Sequence, residues 1–175
     1  EEKETRPWSF TLADVRAIYK EAGVPSFKQR LESTGRYAGA TVMGYINLKG
    51  GVGKTTTSST ISSGFVHSRN LLPHQLRVLI IDMDPQGSIS VAFGYKGIGL
   101  VDQHSAVDAI REQVSKETLQ SWIKPTSSAG LYILPASRAD AFFSIKASIL
   151  ANKVGINTAD LLSKYIIEPL RYDMM

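Results

Sequence analysis

Eight residues, Lys49-Gly50-Gly51-Val52-Gly53-Lys54-Thr55-Thr56, constrain this chain more than any other stretch. They lie between a short strand candidate, Val42 to Ile46, and a segment from Lys54 to about His67 that reads as a helix. A glycine-rich turn ending in Lys-Thr is a phosphate-binding loop where a strand feeds directly into a helix. Gly50, Gly51, Val52 and Gly53 supply backbone N–H groups that can turn inward around phosphate oxygens. Side chains in place of the glycines would block the approach or disfavour the torsions. The helix N-terminus adds free donors and partial positive charge. Lys54 is placed to bridge β- and γ-phosphate oxygens, Thr55 to offer its hydroxyl to Mg2+, and Thr56 to bond an α-phosphate oxygen. The loop departs from the common spacing. The first glycine of Gly-x-x-x-x-Gly-Lys-Thr would fall on Leu48, and a further lysine, Lys49, opens the loop instead. In the helix that follows, eight of the nine residues from Thr55 to Ser63 are Ser or Thr, a poor helix composition that leaves Ile61, Phe65 and Val66 as its apolar stripe.

A second segment carries chemistry. Arg77-Val78-Leu79-Ile80-Ile81 is a continuous apolar strand, the pattern of a strand covered on both faces. It runs into Asp82-Met83-Asp84-Pro85-Gln86-Gly87-Ser88. Carboxylates at i and i+2 leave a strand end on the same side. Beside a magnesium nucleotide they would be stabilised as anions. Pro85 and Gly87 make the segment a tight turn that a γ-phosphate could hold or release.

The rest of the chain supplies the frame. Leu131-Tyr132-Ile133-Leu134 is a further strand, and helices are expected near Ala106–Glu112, Lys116–Trp122, Arg138–Ala151 and Ala159–Glu168. Ser137, Asp140 and Thr158 are suited to cap the last two, and Pro169 to stop the chain's final helix. Strands alternating with helices predict an α/β fold, a doubly wound and mainly parallel sheet with helices on both faces. Ligands in such folds bind at the carboxyl ends of the strands. Residues 40–175 form this domain. Residues 1–39 are an extension and linker, with one helix from about Thr11 to Ala22. There Leu12, Val15, Ile18 and Tyr19 share a face, Thr11 and Asp14 form a capping box, and Gly23 and Pro25 end the helix. Ser26 to Gly39 reads as a polar, basic linker with at most one further helical turn. The absence of cysteine excludes a disulfide scaffold, a Cys-ligated zinc and an iron–sulfur centre within these residues. No apolar run approaches the ~20 residues that span a bilayer, and the charged start, Glu1 to Glu4, is no signal peptide. A net charge of +4 permits a polyanionic partner without requiring one.

The loop with its added lysine, and Asp82-x-Asp84-Pro85-Gln86-Gly87 at the end of the next strand, resemble the deviant Walker A ATPases of the ParA/MinD family. Ile133-Leu134-Pro135-Ala136-Ser137 resembles that family's third strand. Phe10 to Arg30 resembles the tail of the helix-turn-helix extension of the larger, plasmid-type partition ATPases. The resemblance implies a P-loop NTPase with ATP/ADP and Mg2+ as cofactors and a weak Mg-dependent hydrolysis of ATP to ADP and phosphate. It implies that Lys49 reaches across a nucleotide-sandwich dimer to the partner's nucleotide. Asp84 would position the attacking water, Asp82 would act near the magnesium shell, and Gln86 and its neighbours would form a switch. It further implies a cytoplasmic, nucleoid-associated bacterial protein that dimerises on ATP and coats double-stranded DNA non-specifically, as a dimer or a DNA-bound polymer. A ParB-type centromere-binding protein would stimulate hydrolysis and release it, moving plasmid or chromosome cargo. Arg16, Lys20, Lys28 and Arg30 are the candidate DNA-phosphate contacts in the extension. Relatives with such extensions also act as nucleotide-switched repressors of their own operon. A MinD-like membrane-associated regulator is a third outcome, against which the extension argues. Tyr172 to Met175 resembles the start of the Walker B strand. Its aspartate, the adenine-contacting segments and a basic C-terminal DNA-binding surface are expected beyond Met175, so that the sheet lacks a neighbour beside the phosphate-loop strand.

Overall fold

Two parallel strands of four residues sort the apolar side chains of this chain into two cores. The computed structural model describes residues 9–46, 49–95, 104–137, 140–141 and 143–172. Strand β1 (Val78–Ile81) pairs in parallel with β3 (Leu131–Leu134), Val78 opposite Leu131 and Ile81 opposite Leu134. On the far side of β3, β2 (Lys124–Pro125) pairs antiparallel, giving the order β1-β3-β2. Successive side chains of a strand face opposite ways. Ile80, Leu131 and Ile133 therefore pack on one face with Val66 of α3 (Lys54–His67) and Ile89 of α4 (Ser88–Ala92). Leu134, with Leu79 and Ile81 beside it, turns to the other face. There it meets α5 (Ala106–Glu112), α6 (Lys116–Trp122), α7 (Phe143–Val154), α8 (Asp160–Leu162) and α9 (Glu168–Leu170) through Ile110, Leu119, Trp122, Ala151, Leu161 and Leu170. The sheet is thus doubly wound, with helices on both faces as expected, and mixed through β2.

Before α3 the chain forms α1 (Leu12–Glu21) and α2 (Phe27–Ser33). The Thr11–Asp14 capping box forms in both directions. The stretch expected to be a linker holds α2, started by a second capping box between Ser26 and Gln29. In the Ser/Thr-rich α3 some hydroxyls return to the helix's own carbonyls: Ser58 Oγ donates to the Lys54 and Thr55 carbonyls, and Ser59 Oγ to that of Thr56.

Three further expectations are corrected. Val42 to Ile46 is not a strand: Val42, Met43 and Ile46 are 57%, 54% and 91% exposed. Among the described residues no strand lies beside the outer edge of β1, and the Ala40 N–H just before the segment donates to the Arg171 carbonyl at 2.8 Å. A lone strand without a ladder or a covering layer has nothing to hold it extended. Pro169 does not stop the last helix. A π-helical turn, Ser163–Ile167, precedes it and joins α8 to α9. This wider turn lets the chain pass a residue that lacks an N–H. Thr158 does not cap α8, whose first turn has no side-chain cap. The start of the helix expected from Arg138 lies outside the described residues.

Candidate nucleotide site

The glycine loop reaches α3 through two left-handed residues, Gly51 (φ +71°) and Gly53 (φ +81°). This region strongly favours glycine, since a Cβ there crowds the following carbonyl oxygen. A Cβ at Gly50 or Gly51 would meet nothing within 4 Å, so both glycines border open space. Gly53 is the N-cap of α3 and no side chain caps the helix. Its first-turn N–H groups therefore have no capping side chain, and they carry the positive end of the helix dipole. Lys54 folds back over the loop, its Nζ donating to the Lys49 carbonyl at 3.3 Å. Thr55 is partly buried, while Lys49, Val52 and Thr56 are exposed. The uncapped start of α3 and the Lys54 ammonium thus lie side by side. Among the described residues no cluster of three or more His, Asp or Glu could hold a metal. A cation here fits the Mg2+ pattern, in which few protein ligands are joined by phosphate oxygens and water.

Strand β1 delivers Asp82 to the end of the sheet, where it is buried at 3% exposure. Its Oδ2 accepts from Ser90 Oγ at 2.6 Å and from Ser90 N at 3.0 Å. Its Oδ1 accepts from Asp84 N at 3.1 Å. Burial pushes the Asp82 carboxyl above its ordinary value, against these hydrogen bonds, and the neighbouring Asp84 charge adds to the rise. Asp84 is exposed, its Oδ1 accepting from Gln86 N at 2.9 Å and its carbonyl from Gly87 N at 2.7 Å. The two carboxylates thus have different surroundings: Asp82 is pinned inward, Asp84 faces outward. Gly87 (φ +61°) turns the chain into α4, which packs against α3.

A second polar group sits beside this end of the sheet. Asp140 is 4% exposed, accepting from Ser137 N at 2.7 Å and from Ser105 Oγ at 2.8 Å. Ser105 also caps α5 through a reciprocal box with Asp108, whose other oxygen pairs with Arg111 at 2.8 Å. Burial raises the Asp140 carboxyl above its ordinary value, and Asp108 and Asp82 add to the rise. Sequence reading missed Ser90 and Asp140 as members of these networks. Ser105-x-x-Asp108 is legible as a capping box, but nothing in one sequence marks Ser90 apart from the other serines near it.

The comparisons fit this geometry. An AAA domain family matches residues 40–164, most of the chain and all of the loop. The chain belongs to this AAA domain family, in its ParA-type form. It is 31% identical over 169 residues to plasmid partition protein A of Escherichia coli, covering 95% of this chain and 41% of that protein. It is 33% identical over 92 residues to chromosome partitioning protein ParA of Myxococcus xanthus (strain DK1622), covering 52% of this chain and 28% of that one. Among solved structures, a partition protein superposes with a TM-score of 0.72 at 27% identity, over 98% of this chain and 46% of the other. The chain thus spans less than half the length of these relatives.

The extension of this AAA domain packs against it. Arg16 is half-buried, and its Nη2 donates to the Gln75 carbonyl at 3.0 Å. Burial, with Arg77 nearby, lowers its pKa. Gln75 Nε2 returns a bond to the Val24 carbonyl at 2.7 Å. Lys28 Nζ donates to the Tyr172 carbonyl at 3.0 Å and lies 3.9 Å from Glu32, and Arg30 Nε donates to the Pro25 carbonyl. Lys20 is exposed. A cavity of about 500 Å3, lined by Arg16, Lys20, Lys28, His74 and Arg77 among others, separates the extension from the domain. The structure therefore brings Arg16, Lys20 and Lys28 to this cavity, while Arg30 does not line it, and Arg16, Lys28 and Arg30 already hold carbonyls of this chain. No described helix is long and apolar enough to cross a membrane.

Proposed function

We propose that this chain is the nucleotide-binding part of a ParA-type partition ATPase, which uses ATP and Mg2+ to cycle between a DNA-bound dimer and a released form. The observation that carries the reading is the uncapped start of α3 behind left-handed Gly51 and Gly53, with Lys54 folded across the loop. In this reading the loop N–H groups and Lys54 hold the nucleotide phosphates, with Gly50, Gly51, Val52, Gly53 and Thr56 lining the cradle. Lys54 would exchange its bond to the Lys49 carbonyl for phosphate oxygens. Thr55 offers its hydroxyl to Mg2+, which neutralises charge on the phosphates when bound. Exposed Asp84 orients the attacking water. Buried Asp82, with Oδ2 held by Ser90 and Oδ1 by the Asp84 N–H, would serve the magnesium shell and fixes the turn that carries Asp84. Lys49 acts on the nucleotide of a second copy. A ParB-type protein stimulates hydrolysis, and double-stranded DNA is the surface on which the dimer collects, in the cytoplasm at the nucleoid. Names of relatives, the family match and the loop chemistry support this account.

The test is Lys54→Ala in the full-length protein, read by titration with a fluorescent ATP analogue. Removing a buried charge partner typically costs about 2–5 kcal/mol, which weakens binding by roughly 30- to 4,000-fold, since every 1.4 kcal/mol is about tenfold. Unchanged affinity would sink the assignment.

A further inference from the structure

Ser90 is fully buried at 0% exposure, one turn into α4, and its hydroxyl joins three parts of the domain. It donates to Asp82 Oδ2 at the end of β1 and accepts from the Ala136 N–H, just past β3, at 3.1 Å. Asp82 in turn accepts the Asp84 N–H. A continuous line of hydrogen bonds therefore runs from Ala136 through Ser90 and Asp82 to Asp84. Its anchor is the sheet, since Asp82 N also donates to the Leu134 carbonyl at 3.0 Å. The hydroxyl's one donor and one of its two acceptor sites are used, so Ser90 has no freedom to rotate without breaking a buried bond. The Ser90 N–H bonds the same carboxylate oxygen, which fixes α4 to Asp82 by backbone as well as by side chain.

We propose that Ser90 is a positioning residue for hydrolysis: it locks Asp82 to the end of β3 and so sets where the turn holds Asp84. This rests on the reading of the chain as an ATPase in which Asp84 acts at the reaction. Ser90 lies on the far side of Asp82 from Asp84, so its influence passes through that carboxylate. The residues of the line, Ala136, Ser90, Asp82 and Asp84, all lie outside the phosphate loop, so loss of the hydroxyl removes none of the loop's own phosphate donors. Binding and hydrolysis should therefore separate.

The experiment uses the full-length protein with Ser90→Ala, Ser90→Thr, Asp82→Asn and the Ser90→Ala/Asp82→Asn double variant. Affinity for a fluorescent ATP analogue and single-turnover ATP hydrolysis are measured on each. Partners that orient a working group typically contribute about 10–100-fold. Ser90→Ala should slow hydrolysis by about that factor with affinity within about twofold. Ser90→Thr keeps the hydroxyl and should recover most of the rate. On the Asp82→Asn background, Ser90→Ala should add little, since the line is already broken. Wild-type hydrolysis by Ser90→Ala would overturn the inference, as would a rate effect of equal size on the Asp82→Asn background. A parallel loss of nucleotide affinity would overturn it too, by making Ser90 a general support of the fold. Failure of the ATPase reading itself looks different: the unmodified protein would neither bind nor hydrolyse ATP, whatever stands at residue 90.

Discussion

Gly130→Ala tests whether the extension is built into the domain or merely attached to it. Gly130 adopts φ +90°, and a Cβ there would lie 2.7 Å from Arg16 Cζ, 2.8 Å from Nη1 and 2.9 Å from Nη2. The glycine is the floor on which the α1 guanidinium lies as it reaches the Gln75 carbonyl. Two losses follow from one methyl group. A side chain in the left-handed region costs roughly 1–2 kcal/mol. Displacing the guanidinium removes a hydrogen bond from a charged donor, about 1.5–3 kcal/mol when such groups are buried, and Arg16, only half-buried, sits at the low end of that range. Together they predict a destabilisation of roughly 2–4 kcal/mol. With Arg16→Ala already in place the second loss is gone, and Gly130→Ala should cost only roughly 1–2 kcal/mol of backbone strain. Equilibrium urea denaturation of the four proteins, with m-values compared, yields the coupling directly. A cost for Gly130→Ala that is the same in both backgrounds, within about 0.5 kcal/mol, would refute the claim that Arg16 fastens α1 to the domain.

Other outcomes test the nucleotide reading. Lys49→Gln should keep most of the ATP affinity of the monomer but lose ATP-dependent dimerisation and hydrolysis, as sedimentation with a non-hydrolysable analogue would reveal. A mutant that dimerises and turns over normally makes Lys49 a bystander. Asp84→Ala should bind ATP as well as the parent or slightly better, while hydrolysis falls by roughly 10²–10⁴-fold. Loss of affinity with normal turnover of the bound fraction would instead give Asp84 to the magnesium site. Replacing Arg16, Lys20, Lys28 and Arg30 with Ala should flatten the log–log salt dependence of DNA binding by about 0.9 per lost contact, and an unchanged slope would leave these residues to packing.

What the sequence made legible divides by the range of the forces involved. The phosphate loop, the Asp82 turn and the Thr11 box are local: a few adjacent residues dictate their own torsions and hydrogen bonds, and Gly51, Gly53 and Gly87 all take the left-handed turns such segments need. β1 and β3 were legible because short, β-branched apolar runs such as Val78 to Ile81 favour a strand packed on both faces. Val42 to Ile46 failed for the complementary reason. Its apolar residues have the composition of a strand, but a ladder is a property of two segments, and no strand flanks β1 on its outer side among the described residues. α2 was hidden by its polar composition, although Ser26-x-x-Gln29 carried the start signal. The Ser90 and Asp140 networks join residues that no local pattern relates: Ser90 meets Ala136 across 46 positions, and Ser105 meets Asp140 across 35.

The two-residue strand β2 gives the sheet a direction of growth. Lys124 places a charge on the outer rim and Pro125 has no N–H to offer a newcomer, while the Pro125 carbonyl is held by the Tyr95 hydroxyl. That side is closed to intermolecular pairing. The opposite rim is Val78 to Ile81, beside which no strand lies among the described residues and in which neither proline nor charge stands to discourage a guest. Any strand that joins this sheet, from this polypeptide or another, must therefore enter beside β1, the strand that ends in Asp82. Completing the sheet and walling in the carboxylate turn are the same event, and crowding without the proper guest would put misassembly at that same rim.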